Sequence, residues 1–185
     1  MLPSAAGFID PLHSSGIAHS LVAIERLGRA FARSLDAGQD RMEMISPQLT
    51  SDHDERTRAE IFWIDRLVSC GYRSLPDFRE FTLATMPYFA AAIRYESLRA
   101  EDPQARPGFL ANDDRILVAA LDRYEAILEA WRRTGRRLSR EPVSVFESLA
   151  AELRETLAPV DRAGLLDPAA HPYYLKSAAP TKSLA

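Results

Sequence analysis

The chain has 185 residues, 46% of them hydrophobic and 26% charged, with a formal net charge of −3. That length suits one domain, or one domain with a tail, around a substantial core. The charge leaves no basic excess with which to bind nucleic acid or anionic lipid. One cysteine, Cys70, excludes an internal disulfide and a Cys-based zinc site, and its apolar neighbours predict a buried, inert thiol. No apolar run approaches the ~20 residues of a membrane span, and no basic start precedes a long apolar stretch, so a cytoplasmic location is the expectation.

An apolar lead-in, Ala5 to Ile9, ends at the turn-forming pair Asp10-Pro11. Ser14, Ser15 and Gly16 follow. Then Ile17, Leu21, Ile24, Leu27 or Gly28, Phe31 and Leu35 recur every three to four residues, the period of one helix face. This predicts a first helix from about Ser15 to about Ser34, stopping near Gly38. Ser14 or Ser15 is a natural N-cap, and Gly16 lets another group approach the backbone. A loop feeding a helix start presents unpaired N–H groups and the positive end of the macrodipole, which suits an anion or the polar edge of a cofactor. An ordinary loop with its N-cap has the same residues.

A short run through Met42, Ile45 and Leu49 is expected to bend or break at Pro47. A second helix is expected from Ser51, with Asp52, Asp54 and Glu55 in its first turn, Ile61, Ile64, Leu67 and Val68 on its apolar face, and an end near Gly71. A third begins near Ser74, carries Phe78, Phe81, Met86, Phe89 and Ile93 on its apolar face, and should kink between Leu83 and Pro87. After a loop over 102–108, a fourth opens at Asn112-Asp113-Asp114, carries Leu117, Leu121, Tyr124, Leu128 and Trp131, and ends at Gly135. Ser144 and Glu147 form a capping box for a fifth, with Phe146, Leu149, Leu153 and Leu157 facing the core. Residues 161–185 read as an extended or disordered tail.

The fold expected is mainly α: about five packed helices after a short strand or loop at residues 5–9, with no Rossmann sheet of its own. His19 belongs on the helix surface or, satisfied, at an interface; His53 and His171 belong at the surface. Glu25 and Arg26 suit an internal ion pair or an exposed face. The pairs Arg132-Arg133 and Arg136-Arg137 read as a solvated helix end, and His13 and His19, six apart and not on one helix face, are not expected to share a metal.

Residues 6–20, Ala-Gly-Phe-Ile-Asp-Pro-Leu-His-Ser-Ser-Gly-Ile-Ala-His-Ser, resemble the last flavin-binding motif of FAD-dependent oxidoreductases in the tryptophan-halogenase-like family, within the flavin monooxygenases of the hydroxybenzoate-hydroxylase fold. The similarity continues in Glu25-Arg26-Leu27, in Ile64-Asp65-Arg66-Leu67-Val68 with Cys70 and Tyr72, and in Asp77-Phe78 with Phe81. Tyr88-Phe89-Ala90-Ala91-Ala92 and Pro107-Gly108-Phe109-Leu110 ahead of Asp113-Asp114 extend it.

The resemblance implies the C-terminal part of a longer flavoenzyme, monooxygenase or halogenase-like, with FAD as cofactor, a small-molecule substrate and flavin hydroperoxide chemistry in the whole enzyme. Residues 1–16 would be a remnant of the flavin-binding domain, 17–160 a helical domain and 161–185 the tail. Asp10, Pro11 and Ser14 would lie beside the flavin, and the backbone N–H groups of Ser15, Gly16 and Ile17 would face its ring. In halogenases the backbone at the Ser15 and Gly16 positions also helps hold the halide.

Two positions depart from the family pattern. Pro3-Ser4 stand where many relatives carry the Gly-Asp that binds the ribityl chain. His13 stands where tryptophan halogenases place a catalytic glutamate, which argues against tryptophan halogenation. No GxGxxG occurs, so most of the FAD site is expected on a missing N-terminal portion or a split partner chain. The chain alone is then expected neither to bind FAD tightly nor to turn over. The other reading is a free-standing helical interaction module without a cofactor.

Overall fold

The computed structural model describes residues 6–7, 11–13, 15–38, 46–102, 104–161 and 164. Five α-helices carry these residues: α1 Ser15–Asp36, α2 Pro47–Ser74, α3 Phe78–Glu101, α4 Arg115–Arg133 and α5 Val143–Leu157. Three single turns of 3-10 helix, Pro11–His13, Phe109–Ala111 and Leu138–Arg140, sit between them or ahead of them. No strand occurs among the described residues, as a sequence without period-two alternation requires. Of the strand or loop expected at 5–9, only Ala6 and Gly7 are described, and neither is in a strand. No described helix is long and apolar enough to cross a membrane.

The chain divides into two compact units, Met1–Val68 and Ser69–Ala185, with the division inside α2. In the first unit, α1 ends as expected at a glycine in the left-handed region, Gly38 with φ +72°. The start of α2 departs from expectation. It lies at Pro47, four residues before Ser51, because Ser46 Oγ accepts the Leu49 N–H at 3.1 Å and caps the helix. Pro47 then occupies the first helical position, where its missing N–H costs nothing, so it opens the helix it was expected to break.

The second unit is built around α3, which packs against α4, α5 and the 3-10 turns Phe109–Ala111 and Leu138–Arg140. Its N-cap is Asp77, three residues after the expected Ser74, and the Asp77 carboxylate accepts the N–H groups of Arg79 and Glu80. The helix runs through Pro87 to Glu101. Leu83, Leu117, Leu121, Leu138, Leu153 and Leu157 are buried and represent its core. Tyr95 meets Phe109 edge-on, ring centroids 5.4 Å apart. The face assigned to α3 by spacing is not the buried one: Phe78 and Phe89 are exposed and Phe81, Met86 and Ile93 only half-buried, while Leu83, Ala84, Pro87, Tyr88, Ala91 and Tyr95 are turned inward.

Asp114 caps α4 as the sequence predicts, accepting the Ile116 N–H at 2.9 Å, and its second oxygen takes Arg94 Nε of α3 at 3.2 Å. One side chain thus ends a loop and ties two helices. Just before it, Leu110 (φ +53°) and Ala111 (φ +48°) adopt the left-handed region that L residues rarely occupy. Both are buried, so packing holds them there. The capping box expected from Ser144 and Glu147 does not form. Helix α5 starts one residue earlier, behind an extended Pro142 with no side-chain cap, and Ser144 falls inside it.

Candidate functional site

Asp10 and Ser14 lie outside the described residues, as do Pro3, Ser4 and His171. Pro11 opens the 3-10 turn Pro11–His13, and Ser15 is the first residue of α1. The first three residues of the helix are therefore Ser15, Gly16 and Ile17, and their N–H groups belong to the turn that has no intrahelical acceptor. No acidic residue stands in that turn to offset the positive end of the dipole. Ser15 is 3% exposed, and its Oγ has no hydrogen-bond partner among the described residues. A buried hydroxyl without a partner is unfavourable, and among the described residues the hydroxyls of Ser74 and Ser97 share the condition. Gly16 is half-buried, and the Ile17 side chain points outward.

One turn further along the same face lies a charged cluster that the sequence only half disclosed. His19 Nε2 is 3.0 Å from Glu60 Oε2 of α2, and neither side chain has any exposure. Arg26 grips the same carboxylate with both terminal nitrogens, at 2.8 Å to Oε1 and 3.2 Å to Oε2. It also donates to Thr57 Oγ1 at 3.2 Å. Arg56 Nε reaches Glu60 Oε1 at 3.4 Å, and Thr57 Oγ1 stands 3.5 Å from His53 Nε2. A buried carboxylate persists only when it is paired and hydrogen-bonded, and Glu60 is both.

Three sequence expectations are settled here. His19 is interfacial rather than on the helix surface, buried between α1 and α2 with Nε2 against Glu60. His53, expected at the surface, is buried, because it lies one turn before Thr57 on the inward face of α2. Glu25 and Arg26 do not pair with each other; Glu25 pairs with Arg29, and Arg26 with Glu60. The cluster has no access to solvent at its centre, so its chemistry is to join α1 to α2.

The second unit has a parallel arrangement. Glu80, 1% exposed, accepts the Leu138 N–H at 3.1 Å and the Arg137 guanidinium at 3.4 Å. Asp77 Oδ2 accepts the Ser139 N–H at 2.6 Å. Burial pushes the Asp77 carboxyl up, but the donors of Ser139, Glu80 and Arg79 outweigh it and hold it below the ordinary carboxylate value. Tyr124 donates its hydroxyl to the Glu80 carbonyl at 2.7 Å. Arg137 is therefore not part of a solvated helix end, while Arg136 covers the Trp131 ring at 4.7 Å and pairs with Glu141 at 2.9 Å.

Sequence reasoning missed Glu60, Thr57, Asp77 and Glu80. A signal for two of them was present. His53, Thr57 and Glu60 extend the stripe of Ile64 and Leu67 toward the helix start at spacings of four and three, so they had to face inward with it. Among the described residues, no group of three His, Cys, Asp or Glu side chains is arranged to hold a metal ion. No family model, curated protein or solved structure matches the chain.

Proposed function

We propose that the chain is the C-terminal part of an FAD-dependent oxidoreductase of the tryptophan-halogenase-like family, monooxygenase or halogenase-like, and that it supplies one wall of the flavin site without being active alone. The observation that carries this reading is Ser15. Its hydroxyl is buried without a partner among the described residues, at a helix start with no acidic residue, inside the stretch that resembles the flavin-binding motif. FAD, when bound, supplies electron transfer to dioxygen in such enzymes. The amides of Ser15, Gly16 and Ile17 fit the negatively polarised edge of that group, and the dipole of the 22-residue α1 reinforces them. His19 and Arg26, held by Glu60, fix the helix that presents those amides.

The test compares the purified chain with the chain co-expressed with the portion encoded upstream or alongside it. Alone, the chain should emerge colourless. With a portion bearing a GxGxxG strand–turn–helix, it should retain stoichiometric yellow cofactor. Tight retention of FAD by the 185-residue chain alone would contradict the reading.

A second reading, a helical interaction module without cofactor, is favoured by a different observation, the outward apolar face of α1. Absence of any upstream or neighbouring GxGxxG portion favours it.

A further inference from the structure

The apolar face of α1 is exposed. Spacing groups Ile17, Leu21, Ile24, Leu27 or Gly28, Phe31 and Leu35 on one helix face, the face an ordinary surface helix turns to the core. Yet Ile17 is 78% exposed, Leu21 61%, Ile24 55% and Leu35 61%, and only Phe31 is half-buried. The buried face is instead Ser15, His19, Ala23 and Ala30. The helix is inside out relative to an ordinary surface helix, whose apolar stripe covers the core. A contiguous apolar stripe of this kind marks an interaction surface.

We infer that this face is a self-association surface, on which α1 pairs antiparallel with α1 of a second copy of the chain. The inference stands apart from the flavin reading. Three observations select a second copy. The seam alternates spacings of four and three throughout, the repeat with which one helix seats its side chains in the holes of another. The seam is also complementary to itself by size. Antiparallel pairing sets Ile17 against Leu35, Leu21 against Phe31, and Ile24 against Gly28 of the other copy. Gly28 is an open notch, with nothing within 4 Å of where a Cβ would stand, so it can receive Ile24. Parallel pairing would leave a hole at Gly28 and crowd Phe31 against Phe31.

The flanks, finally, do not oppose contact. Ala18, Ser20, Ala32 and Ser34 are small and uncharged, and the Glu25 charge is already met by Arg29 on its own helix. Five large apolar side chains from each copy would bury on the order of 1,000 Å² in all, the low end for a specific interface. The dimer should therefore be weak.

Sedimentation equilibrium of the full chain should show a monomer–dimer equilibrium. Leu21→Glu and Ile24→Glu should each weaken it at least tenfold while leaving the circular-dichroism melt unchanged. Gly28→Leu should weaken it too, although it adds apolar area, and Ile24→Ala combined with Gly28→Leu should restore it. Chains carrying Ile17→Cys, mixed with chains carrying Leu35→Cys, should form the mixed disulfide.

A chain that is monomeric at all concentrations overturns the inference, as does one that associates only with an upstream flavin-binding portion. Association that grows with Gly28→Leu would show indiscriminate adhesion and overturn it equally. A disulfide between two Ile17→Cys chains in preference to the mixed pair would refute the antiparallel arrangement.

Discussion

His19 on α1 and Glu60 on α2 lie 41 positions apart in sequence and meet at 3.0 Å with neither side chain exposed. Arg26 closes on the same carboxylate from one side with two hydrogen bonds. The first unit is thus held at a polar point where an apolar one would be ordinary. Pairing of this kind is costly to break from one side only, because the Arg26 guanidinium left behind stays part-buried without its counter-charge.

Glu60→Leu should accordingly destabilise the chain by about 3–5 kcal/mol, since it leaves the Arg26 guanidinium and His19 facing an apolar side chain. Replacing His19, Arg26 and Glu60 together by apolar residues of similar volume should cost much less. Urea unfolding of both variants checks the comparison. A Glu60→Leu loss below about 1 kcal/mol, the scale of an exposed pair, would mean that the cluster does not hold the unit together.

Asp77 makes a prediction with a definite sign. Its folded carboxyl lies below the ordinary 3.8, because the amide donors of Ser139, Glu80 and Arg79 outweigh the cost of burial. A depressed folded value stabilises the native state above the ordinary value. That contribution is lost as pH falls below 3.8 through the folded value. Asp77→Asn retains an N-cap but removes the charge, so it should lower stability at neutral pH and flatten the acid limb of the stability curve. Chemical unfolding at a series of pH values reads both effects; an unchanged acid limb would exclude Asp77 as its source.

Tyr124 predicts the opposite limb. Desolvation, helped by Cys70 and Glu80 nearby, pushes its phenol far above the ordinary 10.0. The folded chain therefore keeps a proton that the unfolded chain releases, and stability should fall as pH rises past 10.0. Tyr124→Phe should remove that alkaline dependence and, by leaving the Glu80 carbonyl without its 2.7 Å donor, cost about 1–2 kcal/mol at neutral pH. In a spectrophotometric titration of the folded chain, the variant should show as many normally titrating tyrosines as the parent.

How much of this was legible depends on whether the deciding partner lay close in sequence. Asp114 and Gly135 mark the ends of α4 by local rules alone, and the helix lies between them as read. Pro47 was misread because a proline that breaks a helix and one that opens it differ only in the residue ahead, here Ser46. The periodicity of α1 groups its apolar residues on one face and leaves open where that face points. Spacing establishes that Ile17, Leu21, Ile24 and Leu35 share a face, but Glu60, far along the chain, draws the His19 and Arg26 side inward. Ser15 and Gly16 stand at the start of α1, while Asp10 and Ser14 lie outside the described residues.

Ser15 offers a last prediction, in which stability and function should move in opposite directions. Its buried hydroxyl has no partner among the described residues, so Ser15→Ala removes a group that was desolvated without compensation. The variant should therefore be more stable than the parent by about 1 kcal/mol. If the hydroxyl stands where a flavin is received, the assembled enzyme carrying Ser15→Ala should lose cofactor faster than the parent on dialysis. Native residues that weaken the fold at a binding site are expected to show this exchange. Unfolding of the isolated chain measures the first effect, and absorbance of retained flavin in the assembly measures the second. A variant that is more stable and holds flavin unchanged would assign Ser15 no part in the site.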